Sequence, residues 1–224
     1  MSTEGNSLDL RIIAVEPHDP LEGLPGIPMT LHTTRGQIHT SYHQAPEPKA
    51  GVVWVWGARG GIEGPADGIY GVLAEELMSN GITSLRVDYR QPNDLTESIL
   101  DTLAGVSLLS GFGYSSIALV GHSFGGAVVI SAAPFSENVK AVAALSSQTY
   151  GAQKVAQVSP RPLLLVHGEE DTRLSPRCSK DIFAWAQEPK ELVLYPGANH
   201  SLRECKQQLH YLLQSWLVQQ LTSP

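Results

Sequence analysis

From Gly51 onward, short runs of continuously apolar residues alternate with longer stretches in which apolar residues recur every three or four positions. Continuous apolar runs predict strands buried on both faces, and the longer spacing predicts amphipathic helices. The predicted strands are GVVWVWG (51–57), ITSLRVDY (82–89), SSIALVG (115–121), VKAVAALSS (139–147), RPLLLVHG (161–168) and KELVLYPG (190–197). Because helices separate most of them, the pattern indicates an α/β fold with a mostly parallel sheet and helices on both faces.

Helical spacing marks five segments between these strands and after the last one. They are ADGIYGVLAEELMSNG (66–81), NDLTESILDTLAGVSLLSGFG (93–113), FGGAVVISAAPF (124–135), SPRCSKDIFAWAQ (175–187) and SLRECKQQLHYLLQSWLVQQL (201–221). Asn93 or Asp94 is the expected N-cap of the second segment, because short polar side chains accept hydrogen bonds from the free N–H groups of a first helical turn.

The segment before Gly51 predicts a different kind of pairing. MTLHTTRGQIHTSYHQ (29–44) reads as two strands around Arg35-Gly36, which form an antiparallel hairpin at the sheet edge. The whole sheet is then expected to have eight strands, in a single domain over 1–224 with an irregular N-terminal extension over 1–27. The connection QTYGAQKVAQVSP (148–160) is too short for a large cap domain.

Composition and charge narrow the class of protein. The 224 residues are 42% hydrophobic and 17% charged, with a formal net charge of -7. Without a Lys/Arg cluster, this balance argues against nucleic acid or an anionic membrane surface as a partner and leaves a small molecule. The N-terminal residues lack the pattern of a signal peptide, so a cytoplasmic location is expected. The oligomeric state stays open.

The cysteines and the most apolar stretch exclude two further readings. Only Cys178 and Cys205 occur, and no C-x-x-C motif or His/Cys pair has metal-ligand spacing, so neither a metal nor another cofactor is expected. The segment SSIALVGHSFGGAVVISAAPF (115–135) is the closest match to a membrane span. Polar residues interrupt it and it combines strand and helix periods, which excludes a span.

That same segment contains G-H-S-F-G, with Ser123 between Gly121 and Gly125. A serine at a sharp turn from a buried strand into a helix is the nucleophile elbow, in which glycines leave room for a strained backbone that exposes the hydroxyl. The free N–H groups of the helix start also suit a developing negative charge. The strand before Ser123 and the helix after it favour a nucleophile over a chance match.

A serine hydroxyl needs a base and an orienting acid, which in this kind of fold follow in the order acid, then histidine. After the strand at 161–168 the chain offers Glu169, Glu170 and Asp171, and Asp171 is preferred because it lies furthest into the loop. Among the eight histidines, only His200 combines a loop after the final strand with a helix start behind it. His122 is expected to point elsewhere, and His167 to brace its turn.

The motifs G-H-S-F-G, H-G-E-E-D and G-A-N-H resemble the α/β-hydrolase superfamily over nearly all of the chain from about Met29. The match is most similar to small lidless members of the type of dienelactone hydrolases and serine esterases. The resemblance implies that Ser123 attacks an acyl carbon, that His200 transfers the proton and that Asp171 orients the imidazole. It also implies an oxyanion hole built from the backbone N–H of Phe124 and that of Ala58, with Arg59 as the alternative to Ala58.

The loop after the first parallel strand departs from the family, whose members often begin it with His-Gly, whereas here it reads Trp56-Gly57-Ala58-Arg59. Arg59, Gln148 and Tyr150 are the expected substrate-binding side chains. We predict cleavage of a small carboxylic ester; a thioester, a lactone or an acyl-peptide bond would use the same groups. A non-catalytic ligand-binding or scaffold protein on this fold is the alternative.

Overall fold

The structure is a computed structural model that describes residues 9–20, 23, 25–48 and 50–222. Within them nine strands form one sheet in the order β1-β2-β3-β5-β4-β6-β7-β8-β9. The strands are β1 (Ile12–Pro17), β2 (Ile27–Thr33), β3 (Gly36–His43), β4 (Ala50–Val55), β5 (Ile82–Asp88), β6 (Ile117–His122), β7 (Val139–Leu145), β8 (Leu163–Gly168) and β9 (Lys190–Tyr195). Strands β4 to β9 are parallel, while the pairs β1/β2, β2/β3 and β3/β5 are antiparallel.

Helices cover both faces of this sheet. They are α1 (Pro65–Leu77), α2 (Leu95–Gly111), α3 (Phe124–Ala132), α4 (Arg177–Trp185) and α5 (Lys206–Thr222). One buried apolar cluster joins the sheet to α2, α3 and α4, and a second joins its other face to α1 and α5. The side chain of Asp94 accepts a hydrogen bond from the Glu97 N–H at 3.0 Å and caps α2. The predicted α/β class is confirmed.

The strand count and the N-terminal segment differ from the prediction. Eight strands were expected, but the described residues form nine, because Ile12–Pro17 lies within the segment expected to be irregular. This strand pairs with β2 at the sheet edge, and most of its side chains are exposed, Ile13 by 69%. Its sequence contains only the short apolar run IIAV (12–15), most of which is exposed, and the strand is held by backbone pairing with β2. Residues 1–8, 21, 22 and 24 lie outside the described part of the chain.

Two helices also begin differently from the prediction. The final helix begins at Lys206, not near 201, and Leu202 before it has a positive φ of 56°. At the start of α1, Ala66, Asp67 and Gly68 have left-handed φ and ψ angles. In both places apolar spacing continues through a turn, so the spacing alone overstates the helix.

The connections at the carboxyl edge of the sheet determine what lies above the site. Between β7 and β8 the described chain contains only one short 3₁₀ helix, Val155–Val158, and no large cap. Since the strands from β4 to β9 are parallel, their carboxyl ends meet at this edge, where open α/β sheets collect their functional groups. None of the helices in the described residues has the length and apolarity needed to cross a membrane.

Candidate active site

Ser123 lies between the end of β6 and the start of α3, in a strained backbone conformation with φ 60° and ψ -119°. Its N–H donates to the carbonyl oxygen of Leu145 at 2.8 Å, which fixes the turn to the neighbouring strand. A Cβ atom at Gly121 would overlap the Gly125 carbonyl, and one at Gly125 would overlap the Trp56 carbonyl. Only glycines therefore allow the tight turn that directs the serine outward.

Positive φ angles at non-glycine residues concentrate around this edge. Ala66 and Asp67 line the same cavity as Ser123, Ser146 follows β7 directly, and Leu202 follows His200 by two residues. Such conformations cost about 1–3 kcal/mol each and persist where the surrounding structure holds them, most often at functional sites. The strain marks this edge of the sheet as the candidate site.

His200 connects Ser123 to Asp171. Its Nε2 lies 3.0 Å from Ser123 Oγ, and its Nδ1 lies 2.7 Å from Asp171 Oδ2. Since a carboxylate oxygen only accepts, Nδ1 carries the proton and Nε2 is left to accept the serine hydroxyl. The His200 side chain is 13% exposed, whereas that of Asp171 is fully buried. The three side chains expected from the sequence therefore form one hydrogen-bonded chain that ends at an accessible hydroxyl.

Asp171 is held by backbone as well as side-chain donors. Its Oδ1 accepts from the N–H groups of Arg173 at 2.8 Å and Leu174 at 2.9 Å. Burial raises the pKa of Asp171, but the hydrogen bonds from Leu174 and His200 outweigh it, and the pKa is lowered from its ordinary value. The carboxylate thus stays ionised in the pH range where an imidazole can act as a base.

Two further histidines, His122 and His167, contact the hydrogen-bonded residues of the site. His122 donates from Nε2 to the carbonyl oxygen of His200 at 2.8 Å, and the two rings lie 4.9 Å apart between centroids. Burial lowers the pKa of His122 to about 3, so its ring is neutral. The Nε2 of His167 lies 3.1 Å from Asp171 Oδ2. The sequence analysis assigned His167 only to its turn; its position four residues before Asp171, at a strand end, is the signal that points to this contact.

The loop after β4 passes close to Ser123. A Cβ atom at Gly57 would lie 3.7 Å from Ser123 Cβ, so the backbone passes close to the serine. The Gly60 N–H donates to the Gly57 carbonyl at 3.0 Å, and the Gly61 N–H donates to Asp88 Oδ1 at 2.5 Å. Phe124 is the first residue of α3, and the first N–H groups of a helix have no intrahelical acceptor.

A cavity of about 640 Å³ opens above these residues. Ala58, Arg59 and Gln148 line it, as the sequence analysis expected of oxyanion-hole and substrate-binding residues, but Tyr150 does not. The Tyr150 side chain is 68% exposed, while its carbonyl oxygen accepts a hydrogen bond from Gln148 Nε2 at 2.9 Å. The full lining comprises Trp56, Gly57, Ala58, Arg59, Gly60, Gly64, Pro65, Ala66, Asp67, His122, Ser123, Gln148, Thr172, Arg173, Leu174, Asn199, His200, Ser201 and Arg203.

Metal-ligating side chains do not gather here. Within the described residues, no group of three or more His, Cys, Asp or Glu side chains is arranged to hold a metal ion. Cys178 and Cys205 are both free thiols, and burial raises the pKa of Cys205 to about 11.

The sheet order, the helices on both faces and the absence of a large cap from the described chain define the α/β-hydrolase fold. Est1E from Butyrivibrio proteoclasticus has a similar structure, with a TM-score of 0.76 and 18% identity over 88% of this chain and 99% of that chain. A dienelactone hydrolase from Anabaena variabilis gives a TM-score of 0.71 and 19% identity over 87% of this chain and 99% of that chain.

The comparison of the sequence with protein-family models identifies the family, whereas the structural similarities identify only the fold. The model of the dienelactone hydrolase family matches residues 80–215, more than half of the chain. The chain belongs to the dienelactone hydrolase family. The Escherichia coli K12 protein YfhR is 42% identical over 50 residues, which are 22% of this chain and 18% of YfhR. The match thus spans less than a fifth of that relative.

Proposed function

We propose that the protein is a serine hydrolase that cleaves a small carboxylic ester through an acyl-enzyme on Ser123. The observation that carries this proposal is the hydrogen-bonded chain from Asp171 through His200 to a serine hydroxyl at a strained turn, open to a cavity. A binding protein has no physical need for a strained serine aligned with a base and a buried carboxylate.

In the first half-reaction, Ser123 Oγ attacks the acyl carbon and its proton passes to His200 Nε2. Asp171 stabilises the imidazolium that forms and keeps Nδ1 protonated. When the tetrahedral intermediate collapses, the bond to the leaving oxygen breaks, and that oxygen takes the proton from His200. The alcohol leaves, and the acyl group stays on Ser123 as an ester.

In the second half-reaction, water takes the place of the alcohol. His200 Nε2 accepts a proton from the water as its oxygen attacks the acyl carbon, and it returns this proton to Ser123 Oγ when the acyl bond breaks. The products are a carboxylic acid and the regenerated serine.

The negative oxygen of each tetrahedral intermediate requires N–H donors. The Phe124 N–H, at the start of α3, is the first donor that we propose, and the N–H of Ala58, in the loop that passes close to Ser123, is the second. Arg59 remains the alternative to Ala58, since both residues line the cavity. One backbone donor from the residue after the nucleophile and one from the loop after an earlier strand match the usual arrangement of this fold.

The cavity and the family support a small acyl substrate. A volume of about 640 Å³ lies within the range of small-molecule sites. Arg59 and Gln148 are the side chains that we propose to contact the substrate. Because the family is named for dienelactone hydrolase, a lactone is the second candidate substrate. Ser123 Oγ would attack its acyl carbon in the same way. The cytoplasmic location expected from the sequence stays a prediction.

Labelling with a fluorophosphonate tests the nucleophile without knowledge of the substrate, since Ser123 Oγ would displace fluoride from phosphorus. We expect one label per chain on wild type and none on Ser123→Ala. Ser131→Ala is the matched control. Ser131 lies on α3, the helix that follows Ser123; its hydroxyl donates to the Gly151 carbonyl and does not line the cavity. This variant should label like wild type. An unlabelled wild type, or a labelled Ser123→Ala, would reject the serine hydrolase.

A further inference from the structure

His167 is a fully buried histidine at the end of β8 that does not line the cavity. Its Nε2 lies 3.1 Å from Asp171 Oδ2 and 2.9 Å from the carbonyl oxygen of Leu174. Its Nδ1 lies 2.7 Å from the hydroxyl oxygen of Ser179, which is also fully buried, on α4. The ring therefore joins the buried carboxylate of the site to a helix beyond it.

These contacts determine where the proton of the His167 ring lies. A carboxylate oxygen and a carbonyl oxygen both face Nε2, and neither can donate, so Nε2 carries the hydrogen. The Nδ1 atom must then accept, and the Ser179 hydroxyl is able to donate to it. Burial lowers the pKa of His167, which keeps the ring in this neutral form. The tautomer is therefore fixed, and the one Nε2 hydrogen is shared between Asp171 Oδ2 and the Leu174 carbonyl oxygen.

The carboxylate of Asp171 is consequently held at both oxygens. Oδ1 accepts two backbone N–H groups, from Arg173 and Leu174, and Oδ2 accepts from His167 and His200. A carboxylate offers about four lone-pair directions, and these four contacts, of which the one from His167 is shared with the Leu174 carbonyl, restrict its rotation. Without His167, Oδ2 would have one donor and an unused direction in a buried position.

We propose that His167 is a positioning residue for the reaction proposed above, with Ser179 fixing its tautomer. The hydrogen-bonded chain then has five members, Ser179, His167, Asp171, His200 and Ser123. His167 acts through Asp171 alone: it orients Oδ2 towards His200 Nδ1 and takes a share of the carboxylate's charge. Outer partners of this kind typically change activity by about 10–100-fold when they are removed.

Three substitutions separate positioning from simple packing. His167→Leu removes the donor, whereas His167→Gln keeps an amide N–H near the position of Nε2. Ser179→Ala keeps the ring but removes the donor that selects its tautomer. His43→Leu is the matched control, because His43 is 2% exposed and its ring contacts Arg86 and Ser41, not the site.

The measurements are the rate of fluorophosphonate labelling, kcat and KM on p-nitrophenyl butyrate, and the downfield proton NMR signal of the His200 Nδ1 to Asp171 Oδ2 hydrogen bond. We expect His167→Leu to lower kcat and the labelling rate about 10–100-fold, with KM within about twofold. The NMR signal should shift, because Oδ2 loses a donor. Ser179→Ala should lower kcat several-fold and His167→Gln should recover most of the loss, while His43→Leu should leave the signal in place.

The outcomes distinguish this proposal from the one on which it rests. If wild type is not labelled, both fail. If wild type is labelled and His167→Leu retains the wild-type rate and NMR signal, the positioning role alone is wrong. Should His167→Leu not fold, Ser179→Ala decides: an unchanged labelling rate and signal would overturn the role, and a slower rate with a shifted signal would support it.

Discussion

Two buried polar clusters lie along the same edge of the sheet, one after β5 and the other after β6, β8 and β9. In the first, Asp101 on α2 accepts from the backbone N–H of Arg90 at 2.8 Å and from its Nε at 2.5 Å. Arg90 also donates to Glu97 at 2.7 Å, and Arg35 forms a further ion pair with Glu97. In the second cluster, Asp171 is bound by histidines and backbone N–H groups. Burial is thus common to both.

The difference lies in the geometry around the carboxylates. Burial raises the pKa of Asp101 even though Arg90 lies beside it, whereas directed N–H donors lower the pKa of Asp171 despite burial. Both acidic members of the first cluster lie on the regular helix α2, and neither lines the cavity. The second cluster ends at Ser123, whose backbone is strained and whose hydroxyl faces open space. A closed ion network suits stability, and a directional chain with an open end suits chemistry.

The largest expected effect is the loss of activity when the Ser123 hydroxyl, at the open end of the second cluster, is removed. Replacing Ser123 with alanine should lower kcat on p-nitrophenyl butyrate by about 10⁶, because the proposed acyl-enzyme forms on the Ser123 hydroxyl. The free energy of unfolding should change by less than about 0.5 kcal/mol, since the hydroxyl packs against no core group. Steady-state kinetics and urea unfolding measure the two quantities. A loss of activity smaller than tenfold would contradict the assignment.

A substitution in the ion cluster around Arg90 should have the opposite effect, with a large loss of stability and a small change in kcat. Arg90→Met removes the guanidinium from Asp101, which keeps only the hydrogen bond from the backbone N–H of residue 90, and leaves Glu97 with Arg35 as its ion-pair partner. Removing one partner of a buried ion pair typically costs about 3–5 kcal/mol of unfolding free energy. The kcat of the folded variant should stay within a few-fold of wild type, because Arg90 does not line the cavity. Urea unfolding and kinetics on the same preparation test both halves. A stability equal to wild type, or a kcat reduced more than a hundredfold, would remove the contrast between the clusters.

Acid should weaken the two clusters in different pH ranges. Burial lowers the pKa of His122 to about 3, so the unfolded chain binds its proton first, and the contribution of His122 to stability is lost as the pH falls below about 6.5. The hydrogen bond from Arg35 lowers the pKa of Glu97, so that contribution is lost only below about 4.3. Between pH 7 and 5, wild type should lose about 2 kcal/mol more unfolding free energy than His122→Asn.

The comparison between wild type and His122→Asn isolates one group. Burial also lowers the pKa values of His43 and His167, and these histidines contribute equally to both proteins. Urea unfolding at several pH values gives the difference. Equal losses in the two proteins between pH 7 and 5 would show that His122 is not held neutral in the folded state.

The smallest effect concerns the length of the acyl chain. Each buried methylene adds about 0.8 kcal/mol only where a wall covers it. The connection between β7 and β8 supplies only the short helix Val155–Val158 and no large cap. We expect kcat/KM on p-nitrophenyl esters to peak between acetate and butyrate, without activation by micelles. A maximum at decanoate or longer would reveal a covered acyl channel.

The parallel part of the fold was predictable because its strands read as continuous apolar runs, and those from β4 to β8 are almost entirely buried. Ser123, Asp171 and His200 were selected because each follows the carboxyl end of such a strand, and the structure brings them within hydrogen-bonding distance. Their roles, and the single-domain organisation, stay predictions. The pattern of apolar runs therefore predicts which residues follow the end of a parallel strand.

Three other features of the structure are only weakly indicated by the sequence. The edge strand β1 exposes most of its side chains, and its apolar run IIAV (12–15) is short and lies in a segment otherwise rich in polar residues. Tyr150 is close to Gln148 along the chain, but the loop turns its side chain into solvent, and loop direction is not encoded in apolar spacing. The contact of His167 with Asp171 is indicated in the sequence only by their spacing of four residues at a strand end, and the path of the turn after β8 determines whether the two side chains meet.

The central claim is that catalysis passes through a covalent ester on Ser123. Rapid acid quench of the enzyme during turnover of p-nitrophenyl butyrate, followed by mass spectrometry of its peptides, tests it most directly. The account predicts one butyryl group on the peptide that contains Ser123, and none on that peptide from Ser123→Ala. A butyryl group on another peptide, or turnover by wild type with no acylated peptide at any quench time, would contradict it.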